Sequence, residues 1–152
     1  MLKEIFTNII GHAIVQSGRA IKIYNLNMFS ELGYEITPEQ FIVLSMLSET
    51  TLKHQNELCE ELHKDKSNMT RLLAILEEKG LIEKIQATEN KKQVNKIKIT
   101  EKGKQIRDKI MPQMQKTRKN YLNGITEDEI YTCIKVLNKI YENLENSDMK
   151  EI

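Results

Sequence analysis

Nowhere in the 152 residues does an apolar run approach the roughly 20 residues that a membrane-spanning helix needs, so no membrane partner is expected. The two cysteines, Cys59 and Cys133, are too few and too far apart for a disulfide framework, which points to a reducing, cytoplasmic setting. The opening MLKEIFTNIIGHAIVQ places apolar residues after Lys3, but Asn8 and His12 interrupt them and no small-residue cleavage site follows, so it is not read as a signal peptide. An excess of one charge is also lacking. Lys and Arg number 23 against 22 Asp and Glu, a net charge of +1, so any attraction to a polyanion must be local. There is no GxxxxGK phosphate loop, no nucleophile elbow, and no carboxylate pair flanked by residues that would tune it. Neither an enzyme nor a cofactor is expected.

What is present reads as helix. With 30% charged and 39% hydrophobic residues the chain should fold, and its length suits one domain. Residues 2 to about 31 carry Leu2, Ile5, Phe6, Ile9, Ala13, Ile21, Tyr24 and Met28 at steps close to three or four, predicting one long helix. In ELGYEITPEQF, Thr37 is a good N-cap, Pro38 takes the first helical position and Gln40 closes a capping box, so a second helix starts there with Phe41, Leu44 and Leu47 inward. A shorter helix follows from about His54 to Leu62, with Leu58 and Leu62 buried, before HKDKS turns into the next, whose N-cap is Asp65.

The stretch KSNMTRLLAILEEKGLIEK has two unlike faces. At about 100° per residue, Met69, Leu72, Leu73 and Leu76 form one stripe, and Ser67, Thr70, Arg71 and Ala74 the opposite one. The first must be buried. The second opens with small hydrogen-bonding groups and one arginine, and its acids, Glu77 and Glu78, come only at the far end.

After Gly80, a helix terminator, the period changes to two. Leu81, Ile85 and Ala87 alternate with polar residues, and so do Ile97 and Ile99 beyond the polar loop TENKKQ, predicting a two-stranded hairpin. Thr100 caps a further helix with Ile106, Ile110 and Met114, which Pro112 should kink rather than end. The last helix begins with a capping box, Thr126 and Glu129, and spaces Ile130, Ile134, Leu137, Tyr141 and Leu144 by alternating steps of four and three, a pattern that seeks a partner helix.

This order predicts a mainly α fold with a small two-stranded β-wing, a winged helix-turn-helix with long terminal helices. In a helix-turn-helix the second helix lies in the DNA major groove with its N-terminal residues toward the bases. Ser67 and Thr70 can then donate or accept at base edges or phosphates, Arg71 can bind guanine through O6 and N7, and Asn68 on the flank can pair with adenine or reach phosphate. The positive helix N-terminus adds phosphate affinity. From 84 to 104 the cations Lys84, Lys91, Lys92, Lys96, Lys98, Lys102 and Lys104 face only Glu89 and Glu101, and Lys64 and Lys66 extend this basic wing to the turn.

GYEITPEQFIVLSML, ELCEELHKDKSNMTRLLAILEEKGLIEK and IKITEKGK, in this order and spacing, closely resemble the MarR family of bacterial transcriptional regulators. The resemblance covers nearly the whole chain, closely in the middle and by architecture alone in the arms. It implies a single MarR-type domain at 1–152, with helical dimerisation arms at 1–34 and 104–146 around a winged helix-turn-helix at 35–103. It further implies a homodimer on a pseudo-palindromic operator, with repression relieved by a small molecule or oxidant. By position the recognition helix falls on 66–79 and the wing on 86–100. The dimer contact is expected from Ile5, Phe6, Ile9, Ile130, Ile134, Leu137, Tyr141 and Leu144, because one winged helix cannot cover these stripes. An effector pocket is expected where the first helix meets the second and fifth.

Two departures stand out. The family's wing usually carries an aspartate and, two residues on, an arginine that enters the minor groove; Lys91 and Gln93 stand there, and lysine lacks arginine's planar fork. His63 occupies a turn position where the helix-turn-helix often has glycine. Cys59 and His63 are four apart, a spacing two metal ligands could share, but no further ligand lies nearby and packing is the reading for Cys59. His12 and the seven methionines are assigned to surface or packing roles, and the early first-helix cysteine of peroxide-sensing relatives is lacking. The rival class, a winged helix used for protein contact alone, would show exposed apolar residues in place of Ser67, Thr70 and Arg71.

Overall fold

The computed structural model describes residues 2–48, 50, 52–89 and 92–146, with side chains from residue 9 onward except at 89, 92 and 93. Ile5, Phe6, Lys91, Lys92 and Gln93 therefore have no described side chain. The helices are α1 (Leu2–Glu31), α2 (Pro38–Ser45), α3 (Gln55–Glu61), α4 (Lys66–Glu78), α5 (Glu101–Tyr121) and α6 (Glu127–Glu145), and the strands are β1 (Lys53–His54), β2 (Ile82–Glu89) and β3 (Lys92–Ile99). Residues 1–109 and 110–152 form two compact units.

In the first unit the helix starts follow local chemistry. Thr37 Oγ1 accepts the N–H of Gln40 at 3.2 Å while the Gln40 side chain accepts the N–H of Thr37 at 3.1 Å, the expected capping box, with Pro38 needing no N–H partner. Phe41, Val43, Leu44 and Leu47 are buried, and Phe29 of α1 packs edge-on against both Tyr34 and Phe41. Leu58 is buried as expected, but Leu62, expected beside it, is only half-buried because it is the C-cap of α3 at the rim of the turn.

Helix α4 buries Met69, Leu72, Leu73 and Leu76, each worth about 1.5–3 kcal/mol of transfer free energy. It ends in a Schellman closure: Gly80 takes φ +69°, its N–H reaches the Glu77 carbonyl at 2.8 Å, and Leu81 N–H reaches the Leu76 carbonyl at 2.9 Å.

The sheet has three strands in the order β1-β3-β2, all pairs antiparallel. The expected hairpin is β2 and β3, and the two-residue β1 adds a third strand at its other edge, pairing Lys53 with Ile97 and His54 with Lys96. The strands run further than the polar composition of TENKKQ suggested, leaving only positions 90 and 91 between them. Register also corrects the expected faces. Ile82 pairs with Ile99 and Lys84 with Ile97, so odd positions of β2 oppose even positions of β3. Ile82, Ile97 and Ile99 share the buried face, whereas Ile85 and Ala87 lie on the other side, half-buried opposite Lys96 and Val94.

Thr100 joins this sheet to α5. Its Oγ1 donates to the Gly80 carbonyl at 2.7 Å and accepts the N–H of Gly103 at 3.1 Å. Gly103 is required by contact rather than conformation: a Cβ there would stand 2.0 Å from the Leu81 carbonyl oxygen. Arg107 Nη1 donates to the Leu47 carbonyl at 2.9 Å, tying α5 to the end of α2.

Helix α5 continues through Pro112, which removes the N–H that would bond the Asp108 carbonyl. In the second unit Ile110, Met114 and Thr117 are buried. Thr126 caps α6 as expected, its Oγ1 accepting Glu129 N–H at 3.3 Å and its N–H donating to Glu129 Oε2 at 2.8 Å. Among the described residues, no helix is long and apolar enough to cross a membrane.

Candidate nucleic-acid interface

Helix α4 presents the face the pattern foresaw. Lys66, Ser67, Thr70, Arg71 and Ala74 are exposed, Asn68 is half-buried on the flank, and the apolar stripe is fully covered. Its start is set by Asp65, whose Oδ1 accepts the N–H of Asn68 at 2.8 Å. This cap stabilises the helix but already places a carboxylate at the N-terminus, so a phosphate would have to compete with it for the positive end of the helix. Asn68 Oδ1 in turn accepts from Arg71 Nη2 at 3.4 Å, a long bond that inclines the guanidinium toward the start of the helix.

The turn before α4 keeps a regular closure despite His63. Lys64 N–H reaches the Cys59 carbonyl at 3.0 Å and His63 N–H the Glu60 carbonyl at 3.3 Å, the same two-bond pattern that ends α4, with His63 at φ +46° where α4 uses Gly80. The replacement of glycine has left the turn's hydrogen bonding intact.

Beside α4, residues His54, Gln55 and Asn56 at the start of α3 and Val94 and Asn95 of β3 line a groove of ≈ 220 Å³ that Lys66 closes. Gln55 Nε2 donates to Thr70 Oγ1 at 2.7 Å, joining the two helices of the helix-turn-helix. The sequence reading passed over Gln55, Asn56 and Asn95. A signal existed for Gln55: Glu57, whose Oε2 accepts the His54 N–H at 2.7 Å, marks His54 as a cap and Gln55 as the first residue of the helix facing α4.

The basic wing is less concentrated than its composition. Lys84 pairs with Glu77 of α4 at 2.5 Å, Lys98 with Glu83 at 3.7 Å and Lys104 with Glu101 at 3.5 Å, while Lys102 donates to the Lys79 carbonyl at 2.9 Å. Lys64, placed at the turn, lies 3.9 Å from Glu39 of α2 and is largely covered. Lys96 is half-buried on β3 beside β1. The base of the wing is thus paired with acids on α4, β2 and α5, and Lys91, Lys92 and Gln93 fall where no side chain is described.

A second concavity, a cleft of ≈ 420 Å³, opens between α1 and α2 and is lined by Gly18, Ile21, Lys22, Asn25, Leu26, Thr37, Pro38, Glu39 and Ile42. Its described lining comes from α1, the α2 cap and α2. Asn25 Oδ1 is buried there without a hydrogen-bond partner.

The MarR family profile matches residues 36–94, from the residue before the α2 cap into β3. A putative MarR family transcriptional regulator from Listeria monocytogenes, solved with a 26-mer DNA, is 32% identical, with 88% of this chain and 87% of that one covered at a TM-score of 0.72. An uncharacterised SlyA-like transcription regulator, also from Listeria monocytogenes, is 31% identical over 88% of this chain and 87% of that one at a TM-score of 0.71. The chain belongs to the MarR family. MepR of S. aureus, solved as a DNA complex, superposes at a TM-score of 0.75 over 88% of this chain and 95% of that one, and at 18% identity it shows the MarR fold alone. No curated protein matches the chain significantly.

Proposed function

We propose that this MarR-family protein is a DNA-binding transcriptional regulator that acts as a ligand-responsive repressor, gripping a pseudo-palindromic operator as a homodimer. The observation that carries the reading is the two-faced α4: an exposed face of Ser67, Thr70 and Arg71 with the small Ala74, backed by a fully buried apolar one. An exposed apolar face would have favoured a protein partner. Arg71 is the residue for guanine O6 and N7, Asn68 steers it, and Ser67 and Lys66 lie nearest the phosphates flanking the bases. Lys64, Lys91, Lys92, Gln93 and Lys96 are assigned to the duplex backbone beside the wing, with Lys91 and Lys92 contributing strength rather than choice. Segments 1–34 and 104–146 supply the dimer, and the α1–α2 cleft takes the effector. With the cleft lined by Ile21, Leu26 and Ile42 around Lys22 and the unpartnered Asn25 Oδ1, the effector is an apolar molecule with a hydrogen-bond donor.

Binding is measured on a duplex enriched by the protein from a random pool and on unselected DNA, across a salt series. Arg71→Ala is expected to lose about 1–3 kcal/mol on the enriched duplex and much less on random DNA. Replacing Lys91 and Lys92 by Ala should weaken both about equally and lower the slope of log affinity against log salt by about 0.9 per lost phosphate contact. If Arg71→Ala weakened both DNAs equally while the lysine variant alone lost discrimination, the roles would be reversed; if neither changed binding, α4 and the wing would not be the DNA-reading surface.

A further inference from the structure

Thr70 stands one turn into α4 on its exposed face, yet its hydroxyl is already engaged twice within the protein. It donates to the Lys66 carbonyl at 2.8 Å and accepts from Gln55 Nε2 at 2.7 Å. A threonine hydroxyl has a single proton. With that proton on the Lys66 carbonyl, only the nitrogen end of the Gln55 amide can face Thr70, so the two bonds fix each other's orientation. Turning the hydroxyl toward a base would break both, at a net cost comparable to what one new hydrogen bond returns. The hydroxyl is thereby spent as a donor, with one lone pair remaining, and the methyl is the apolar group that Thr70 offers a partner.

We propose that Thr70 selects thymine through that methyl group, and that Gln55 is the positioning residue that holds the side chain in the orientation presenting it. In the major groove thymine is the base that carries a methyl, at C5, so a methyl held against it is a chemical match that needs neither donor nor acceptor. Gln55 does this from α3, across the helix-turn-helix, which makes the first helix of the motif a determinant of what the second one reads. This deepens the function proposed above and rests on α4 entering the major groove.

The test removes the matching methyl from the DNA as well as from the protein. A duplex enriched by the full-length protein from a random pool is resynthesised with each thymine in turn replaced by deoxyuridine, which lacks only the C5 methyl. For the unaltered protein, one such replacement per half-site should weaken binding about fourfold, the factor that burying one methyl gives. Thr70→Ser keeps the hydroxyl and loses the methyl, so its thymine-to-deoxyuridine ratio should fall to one. Thr70→Val carries a methyl at both γ positions, so one faces the base without the hydroxyl or its Gln55 anchor, and the ratio should be retained. Gln55→Ala leaves Thr70 in place but unanchored, and the ratio should drop without a matching fall in thermal midpoint. A ratio of one at every thymine of a duplex the protein does enrich overturns the inference while leaving DNA reading intact. Loss of the ratio in Thr70→Val together with its survival in Thr70→Ser would make the hydroxyl the reader and also overturn it. If the pool yields no preferred sequence, the proposed function itself fails.

Discussion

His63 carries the clearest local conflict in the chain. The turn from α3 to α4 needs a left-handed residue after the Leu62 C-cap, and an L side chain at φ +46° pushes its Cβ toward the following carbonyl, at about 1–2 kcal/mol. Glycine would remove that strain but loses more backbone entropy on folding, about 0.5–1 kcal/mol. His63→Gly is therefore expected to stabilise the protein by about 0.5–1 kcal/mol, read as a raised midpoint in chemical denaturation with an unchanged slope. A lowered midpoint would mean that the histidine's own contacts outweigh the strain. Gly80 meets the same requirement at the end of α4 without that strain, since it lacks the Cβ.

At the scale of an element, a helix end can be held by a charge that pH removes. Glu129 accepts the N–H and the hydroxyl of Thr126 through Oε2, each at 2.8 Å, and the backbone bond first, then the hydroxyl, holds its carboxyl below the ordinary 4.5. A lowered folded-state pKa means that the unfolded chain takes up the proton first. The cap's stabilisation is therefore full above 4.5 and is lost as pH falls through the depressed value. Glu129→Gln keeps an amide oxygen for the cap but does not titrate. Its thermal midpoint should lie below that of the unaltered protein at neutral pH, and the gap should close as pH falls through the depressed value and the carboxylate of the latter is protonated. A gap that stayed constant with pH would show that the charge contributes nothing to this cap.

For the whole molecule, the exposed apolar residues govern behaviour. Every described residue from 9 to 24 of α1 is exposed, and α6 leaves Tyr131 at 70%, Leu144 at 66% and Ile134 at 53% exposure. Stripes of this extent are what association sites present, and the step-of-four-and-three spacing of Ile130, Ile134, Leu137, Tyr141 and Leu144 suits packing against a second helix, in keeping with the proposed homodimer. The protein should elute at twice its chain mass in light scattering at micromolar concentration, and its thermal midpoint should rise with concentration. Ile134→Glu, placing a charge in the stripe, should weaken the dimer at least tenfold. A folded monomer of the unaltered chain at micromolar concentration would contradict the assembly.

Wherever the deciding interaction spans four residues or fewer, the sequence alone determined the outcome. The boxes Thr37/Gln40 and Thr126/Glu129, the Asp65 cap, the Gly80 stop and the two faces of α4 all follow from local hydrogen bonding and a 3.6-residue period, and each stands where it was expected. What it could not determine depends on pairs far apart in the chain. Strand β1 is two residues long and exists because Lys53 and His54 find Ile97 and Lys96 more than 40 residues on. The hairpin's alternation was visible, but which side Ile85 and Ala87 take is fixed by register, and a parity of one residue decides it. The same holds at the candidate site. Composition counted Lys84 and Lys98 as phosphate-seeking charges, whereas the fold brings Glu77 and Glu83 to them. Thr70 was read as a donor or acceptor for DNA, whereas the fold sets Gln55 of α3, 15 residues back, to donate to its hydroxyl. Periodicity reports the direction a side chain takes from its own helix or strand, and only the packed structure decides what meets it there.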